Sequence, residues 1–245
     1  MENETKVGMN RTGMQMAPKQ GARQVQYAQE QPPHPKKGSE EDIAALRGLY
    51  VKEAMRVGSV PVPATGKGLA ETVKGKFKGM NPEVLFDKLG ERAAYERSGV
   101  RLYQAMISKV KASPHAEQAA LLADLEHICE EELQHFQLLS TTIADMGGDP
   151  TSQTPCADIS AVAALGMVQV ITDPRTTLAQ CLQVLLSAEM TDNACWELLI
   201  ELVELVEQAG HGELTAAFQK ALAAEQEHEA LIRQWLRKMV LEEAA

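Results

Sequence analysis

Two stretches of the chain carry the same short pattern: Leu125-Glu126-His127-Ile128-Cys129-Glu130-Glu131-Glu132-Leu133-Gln134-His135-Phe136 and Ala221-Leu222-Ala223-Ala224-Glu225-Gln226-Glu227-His228-Glu229. Each contains Glu-x-x-His. At about 100° per residue, side chains three apart on a helix leave the same face. In the second stretch the apolar stripe runs through Ala221, Leu222, Ile232, Trp235, Leu236 and Met239, with Glu225 and His228 in its middle. In the first, Glu132 sits among Leu125, Ile128, Cys129, Phe136 and Leu139. These are carboxylates aimed at a core. A buried carboxylate must be protonated, paired or bound to a metal, and too few Lys or Arg share these faces to pair with them all. A single Glu-x-x-His in a Glu-rich helix is expected by chance; two, each on an apolar face, are not.

Working outward, the flanking text predicts four long helices. Asn81-Pro82-Glu83 combines an N-cap, a proline at the first helical position and an acid in the first turn, and no breaker follows until Ser113-Pro114. That predicts a helix over 82–112. A second helix over 115–146 stops at Gly147-Gly148, where glycine permits a left-handed cap. Asp173-Pro174 repeats the start signal for a third, reaching about 208, and Gly210-His211-Gly212 turns the chain into a fourth. The first and third connections are short, so each pair is antiparallel; the middle one is long and holds a short helix at 158–170. The expected fold is all-α: a four-helix bundle of two antiparallel hairpins joined by one long crossover, the connectivity of ferritin-like bundles.

Such a bundle draws one Glu from each remaining long helix. Glu189 lies between Leu182, Leu185, Leu186 and Trp196. On the helix over 82–112 both Glu91 and Glu96 compete. Glu96 precedes Glu132 by 36 residues, as Glu189 precedes Glu225, and this overlay sets Tyr103 on Trp196 and Gly99 on Asp192. Glu96 is the expected ligand, surrounded by Leu89, Val100, Tyr103 and Ile107, while Glu91 falls at the stripe's margin. The set Glu96, Glu132, His135, Glu189, Glu225 and His228 suits two ions about 3.5–4 Å apart. Oxygen-rich ligation with two imidazoles and no thiolate favours iron, with manganese as the alternative, over structural zinc. Cys129, Cys156, Cys181 and Cys195 occupy no ligand position and read as buried filler in a reducing compartment.

Residues 1–80 read differently. The first 38, rich in Gln, Met, Gly, Pro and Lys, have no periodicity and are expected to be mostly disordered. Ser39 with Asp42 opens one short helix, expected to stop near Gly58, and residues 59–80 read as linker, leaving 81–245 as the bundle domain. The chain has 245 residues and a net charge of −10; residues 1–38 contribute +3 and the rest −13. An acidic body repels phosphates, which disfavours nucleic acid. The longest apolar run, Ile159–Ile171, falls short of the ~18 residues of a membrane helix, and Met1-Glu2-Asn3-Glu4 lacks the order of a secretory signal. A cytoplasmic protein without membrane contact is expected.

With these residues in hand, the stretch from about 82 to 243 resembles the ferritin-like di-iron carboxylate proteins, and among them rubrerythrins and bacterioferritins. Glu96 with Tyr103 seven later, the Glu132/His135 pair, Glu189, and Glu225-Gln226-Glu227-His228-Glu229 carry the resemblance. Rubrerythrins add an acidic residue three after the third helix's ligand, opposite a small residue; here these are Asp192, one methylene shorter than the family's Glu, and Gly99. The resemblance implies ferroxidase or peroxidase-like activity with O2 or hydrogen peroxide, roles for Tyr103 and Asp192 in catalysis, a homo-oligomer, and a separate electron-donor protein, since no rubredoxin-like four-cysteine module is present. Two other functions compete: an iron-storage cage subunit, told apart by particle size, and a non-catalytic helical adaptor, which would purify without stoichiometric metal.

Overall fold

In a computed structural model, residues 17–30, 38–63, 65–70, 81–113, 117–206 and 212–245 are described. Among them the structure is all-helical, with no strand. The described residues from Val57 onward form one compact unit, and those up to Arg56 form another.

The smaller unit holds α1 (Pro18–Glu30) and α2 (Glu40–Glu53). Helix α1 corrects the expectation of a mostly disordered tail over this stretch. Pro18 stands at the first helical position, and Gln, Ala, Arg and Lys, all good helix formers, dominate the rest of the segment. Periodicity misses it because the helix has almost no core face: only Gly21 is buried. The rest of the expected disorder, residues 1–16 and 31–37, lies outside the described residues. Helix α2 opens on the predicted capping box: Asp42 N–H donates to Ser39 Oγ at 3.1 Å and Ser39 N–H to Asp42 Oδ2 at 3.3 Å.

The larger unit contains α3 (Pro82–Ala112), α4 (Gln118–Asp145), α5 (Pro155–Ala163), α6 (Leu165–Thr172), α7 (Leu178–Val206) and α8 (Gly212–Ala244). Helix α3 packs on α4, α7 on α8, α3 on α7 and α4 on α8. Paired residues set the directions. Glu96 meets Trp196 while Tyr103 meets Glu189, so α3 and α7 run antiparallel. Glu131 meets His228 while Asp124 meets Trp235, so α4 and α8 do too. Helix α4 ends as its glycines require: Gly147 has φ +86°, and Gly148 N–H donates to Ile143 O at 2.8 Å. Residues 66–70, within the expected linker, are helical, and Thr65 and Lys67 donate to Gly147 O and Asp145 O at this end of α4; residues 71–80 lie outside the described residues.

The crossover differs from expectation in two ways. It is two helices, broken at Ala164, and it is tied to α3 at both ends. At its start Thr154 Oγ1 donates to Asp87 O at 3.1 Å, and Cys156 N–H donates to Asp87 Oδ1 at 2.8 Å. A Cβ on Gly90 would lie 2.5 Å from Thr154 Cγ2, so glycine lets the two segments meet. At its finish Lys109 Nζ donates to Ile171 O, Asp173 O and Thr176 Oγ1. The stretch Pro155–Thr172 has a mean hydropathy of 1.5 and is long and apolar enough to cross a membrane by length and composition. The run Ile159–Ile171 counted from the sequence lies inside this stretch, and the break at Ala164 leaves helices of nine and eight residues. Helix α7 also begins later than Asp173-Pro174 implies. Asp173 instead turns back on Arg175, and the start is a reciprocal box in which Gln180 N–H donates to Thr177 Oγ1 and Thr177 N–H to Gln180 Oε1.

Two apolar clusters fill the unit. One gathers Met106, Leu125, Leu182, Trp235 and neighbours; the other gathers Leu89, Leu139, Trp196, Phe218 and neighbours. Between these clusters each long helix contributes buried polar or charged side chains, and these form one buried layer.

Candidate metal centre

The layer is built by one or two turns of each long helix. Helix α3 supplies Arg92 and Glu96, α4 Glu132 and His135, α7 Glu189, Asp192 and Asn193, and α8 Glu225 and His228; all are buried, from 0% to 8% exposed. The structure thus brings together all six residues expected as ligands. One oxygen or nitrogen from each of Glu132, Glu189, Glu225 and His228 lies within 4.8 Å of the others; the same holds for Glu96, His135 and Glu225, and for Glu96, Glu132, Asp192 and Glu225. Glu225 belongs to all three groups. These side chains could hold a metal. Glu91, the rival of Glu96, pairs with Lys88 at 2.7 Å instead.

Both imidazoles turn Nδ1 inward. His135 Nδ1 is 2.5 Å from Glu225 Oε1 and 3.8 Å from Glu96 Oε2. His228 Nδ1 is 3.0 Å from Glu225 Oε2, 3.9 Å from Glu189 Oε2 and 4.0 Å from Glu132 Oε1. Its outer nitrogen, Nε2, rests 2.8 Å from Glu131 Oε2, the arrangement that fixes a ligating histidine's ring. The two hairpins answer each other across the layer. Tyr103 donates its hydroxyl to Glu189 Oε1 at 2.5 Å, and Trp196 donates Nε1–H to Glu96 Oε1 at 2.9 Å. Tyr103 and Trp196 are the pair that the 36-residue overlay superposes, and each holds the glutamate of the opposite hairpin. Gly99 makes room for the fourth carboxylate, since a Cβ there would lie 2.0 Å from Glu132 Oε2.

The fit to a metal shows in what lacks a partner. Glu96 Oε2, Glu132 Oε2 and Glu189 Oε2 are buried without a hydrogen bond, an expensive state for a carboxylate oxygen unless a cation or proton meets it. Burial, reinforced by repulsion from Glu225, pushes Glu96 up to about 7 and Glu189 to about 8; Glu132 is driven well above the ordinary range by the same causes. Burial would raise Glu225 as well, but hydrogen bonds and charge from His135 and His228 outweigh it and bring the group down to about 2. For His228 burial is likewise outweighed, by Glu225, and it rises to about 9. The donors are oxygen and imidazole nitrogen. The free thiols supply none of them; Cys181 is buried core filler, Cys129 is half-buried and packs on the same apolar cluster, and Cys156 and Cys195 are half-buried.

Four contributors lie beyond the sequence analysis. Trp196 reads there as core, and Glu131 and Asn193 stand out in no pattern, yet Asn193 Nδ2 bridges Glu189 O and Glu225 O. Arg92 is the fourth, and it did carry a signal: its position, four before Glu96, places it on the same helix face. Comparison of the chain with protein families, curated proteins and solved structures finds no match.

Proposed function

We propose that residues 81–245 form a ferritin-like four-helix bundle that holds two metal ions, iron or manganese, and performs redox chemistry on O2 or hydrogen peroxide. The observation that carries this reading is the convergence of three unpartnered carboxylate oxygens and two imidazole Nδ1 atoms in one buried layer. Glu96, Glu132, His135, Glu189, Glu225 and His228 would hold the ions, which supply single-electron chemistry and a site for the oxidant.

The chain's own groups do the rest. Tyr103 and Trp196 keep Glu189 and Glu96 oriented while leaving the second oxygen of each free. Glu131 fixes the His228 ring. Apolar clusters above and below exclude bulk water, which strengthens every charge interaction within the layer. The Tyr103 hydroxyl, driven well above its ordinary range by burial and by Glu189, stays protonated and serves as a hydrogen donor beside the reacting groups.

Anaerobic Fe(II) titration of the full chain tests this: the expected endpoint is two ions per chain, followed by a ferric absorption band on mixing with O2 or peroxide. A chain that retains no stoichiometric Fe(II) or Mn(II) is the helical adaptor instead.

A further inference from the structure

The six proposed ligands leave one buried charged pair in the same layer unused. Arg92 and Asp192 are 1% and 2% exposed, and Arg92 Nη2 forms an ion pair with Asp192 Oδ1, a contact of opposite charges without hydrogen-bond geometry, and lies 3.5 Å from Glu96 Oε1. The guanidinium sits 4.6 Å over the Tyr95 ring, and Tyr95 in turn donates its hydroxyl to Ala188 O on α7 at 3.1 Å. The cation is therefore fixed from both helices. Asp192 is close enough to act as a ligand, since one of its oxygens falls within 4.8 Å of oxygens from Glu96, Glu132 and Glu225. Yet its charge partner is a guanidinium. Charge favours that arrangement: four glutamates, two neutral imidazoles and two divalent ions sum to zero, so a fifth carboxylate adds a charge that Arg92 cancels. If Asp192 turned toward the metals, Arg92 would be left buried beside a weaker partner, which is costly.

We propose that Arg92 is a positioning residue that clamps Asp192 outside the metal coordination sphere, leaving the ions four carboxylates and not five. The proposal rests on the two-metal reading above. Its test uses Co(II), whose visible bands weaken as coordination number rises, titrated into the full chain. Asp192→Asn keeps an oxygen for Arg92 and should leave both the two-ion endpoint and the Co(II) bands as in the parent. Arg92→Leu frees Asp192, and the bands should shift toward the weaker pattern of higher coordination. Arg92→Leu with Asp192→Asn should return them to the parental pattern, a reversal that loss of packing does not produce. Band changes in Asp192→Asn alone, or none in a folded Arg92→Leu, overturn the clamp and leave the two-metal reading standing. A parent that takes up fewer than two Co(II) per chain overturns that reading, and the clamp with it.

Discussion

Gly99 is where one methyl group would do most harm to the centre. Its substitution by alanine should on its own favour the helix by about 1 kcal/mol. The added Cβ, however, would lie 2.0 Å from Glu132 Oε2, so Glu132 must move. Gly99→Ala should therefore weaken Mn(II) binding on the order of 10–100-fold, as losses of ligand orientation do, while the metal-free melt changes little; unaltered binding would mean that Glu132 is not a ligand. Two glutamates of the layer should behave oppositely in chelator. Glu132 has an oxygen without a partner, so Glu132→Gln should raise the metal-free midpoint. Glu225 holds both histidines, and Glu225→Gln should lower stability by about 3–5 kcal/mol, the cost of breaking a buried pair. Thermal melts of the two variants measure the contrast.

Elements are positioned by their ends. The crossover reaches α7 because Lys109 gathers Ile171 O, Asp173 O and Thr176 Oγ1 where α6 finishes. Lys109→Met removes three charge-assisted bonds and should cost about 1.5–3 kcal/mol, read from denaturant midpoints. Thr177→Ala, which deletes the cap of α7, should cost about 1 kcal/mol. If Thr177→Ala is neutral and Asp173→Ala is not, the start of α7 lies at Asp173-Pro174 after all. The spans of α3 and α4 were legible because Asn81-Pro82 and Gly147-Gly148 are strong local signals. Residue 177 was not, because an Asp-Pro pair four residues earlier carried a similar message.

For the whole unit, pH should act through the buried layer. In the metal-free chain Glu96 and Glu189 keep protons to about 7 and 8 that the unfolded chain releases near 4.5, so stability falls as pH rises through that window. His228 works the same way, its contribution being complete below 6.5 and lost toward 9. Glu225 has the opposite sign: its contribution is present above 4.5 and lost as pH falls toward 2. Melting temperature in chelator should peak between about pH 4 and 5 and decline toward 9. Metal ions compete with those protons, so at a fixed Mn(II) concentration the rise in midpoint should grow with pH; the stabilisation behind it is about 4 kcal/mol where free metal is ~1,000 times its dissociation constant. A metal-free midpoint that climbs between pH 5 and 8 contradicts this assignment.

By itself the sequence determined the long helices, the two Glu-x-x-His faces and the preference for Glu96 over Glu91. Helical geometry is local: rise and turn per residue decide which side chains share a face, and a 36-residue spacing repeats whatever the hairpins pack against. Only the tertiary structure decided that Tyr103 and Trp196 each hold the other hairpin's glutamate, that Glu225 lies in all three groups that could hold a metal, and that Arg92 meets Asp192. The first two of these partnerships span 86 and 100 residues of chain. Such contacts depend on the crossing and axial register of α3 against α7, set by how the apolar clusters on either side interlock, and no local pattern encodes that.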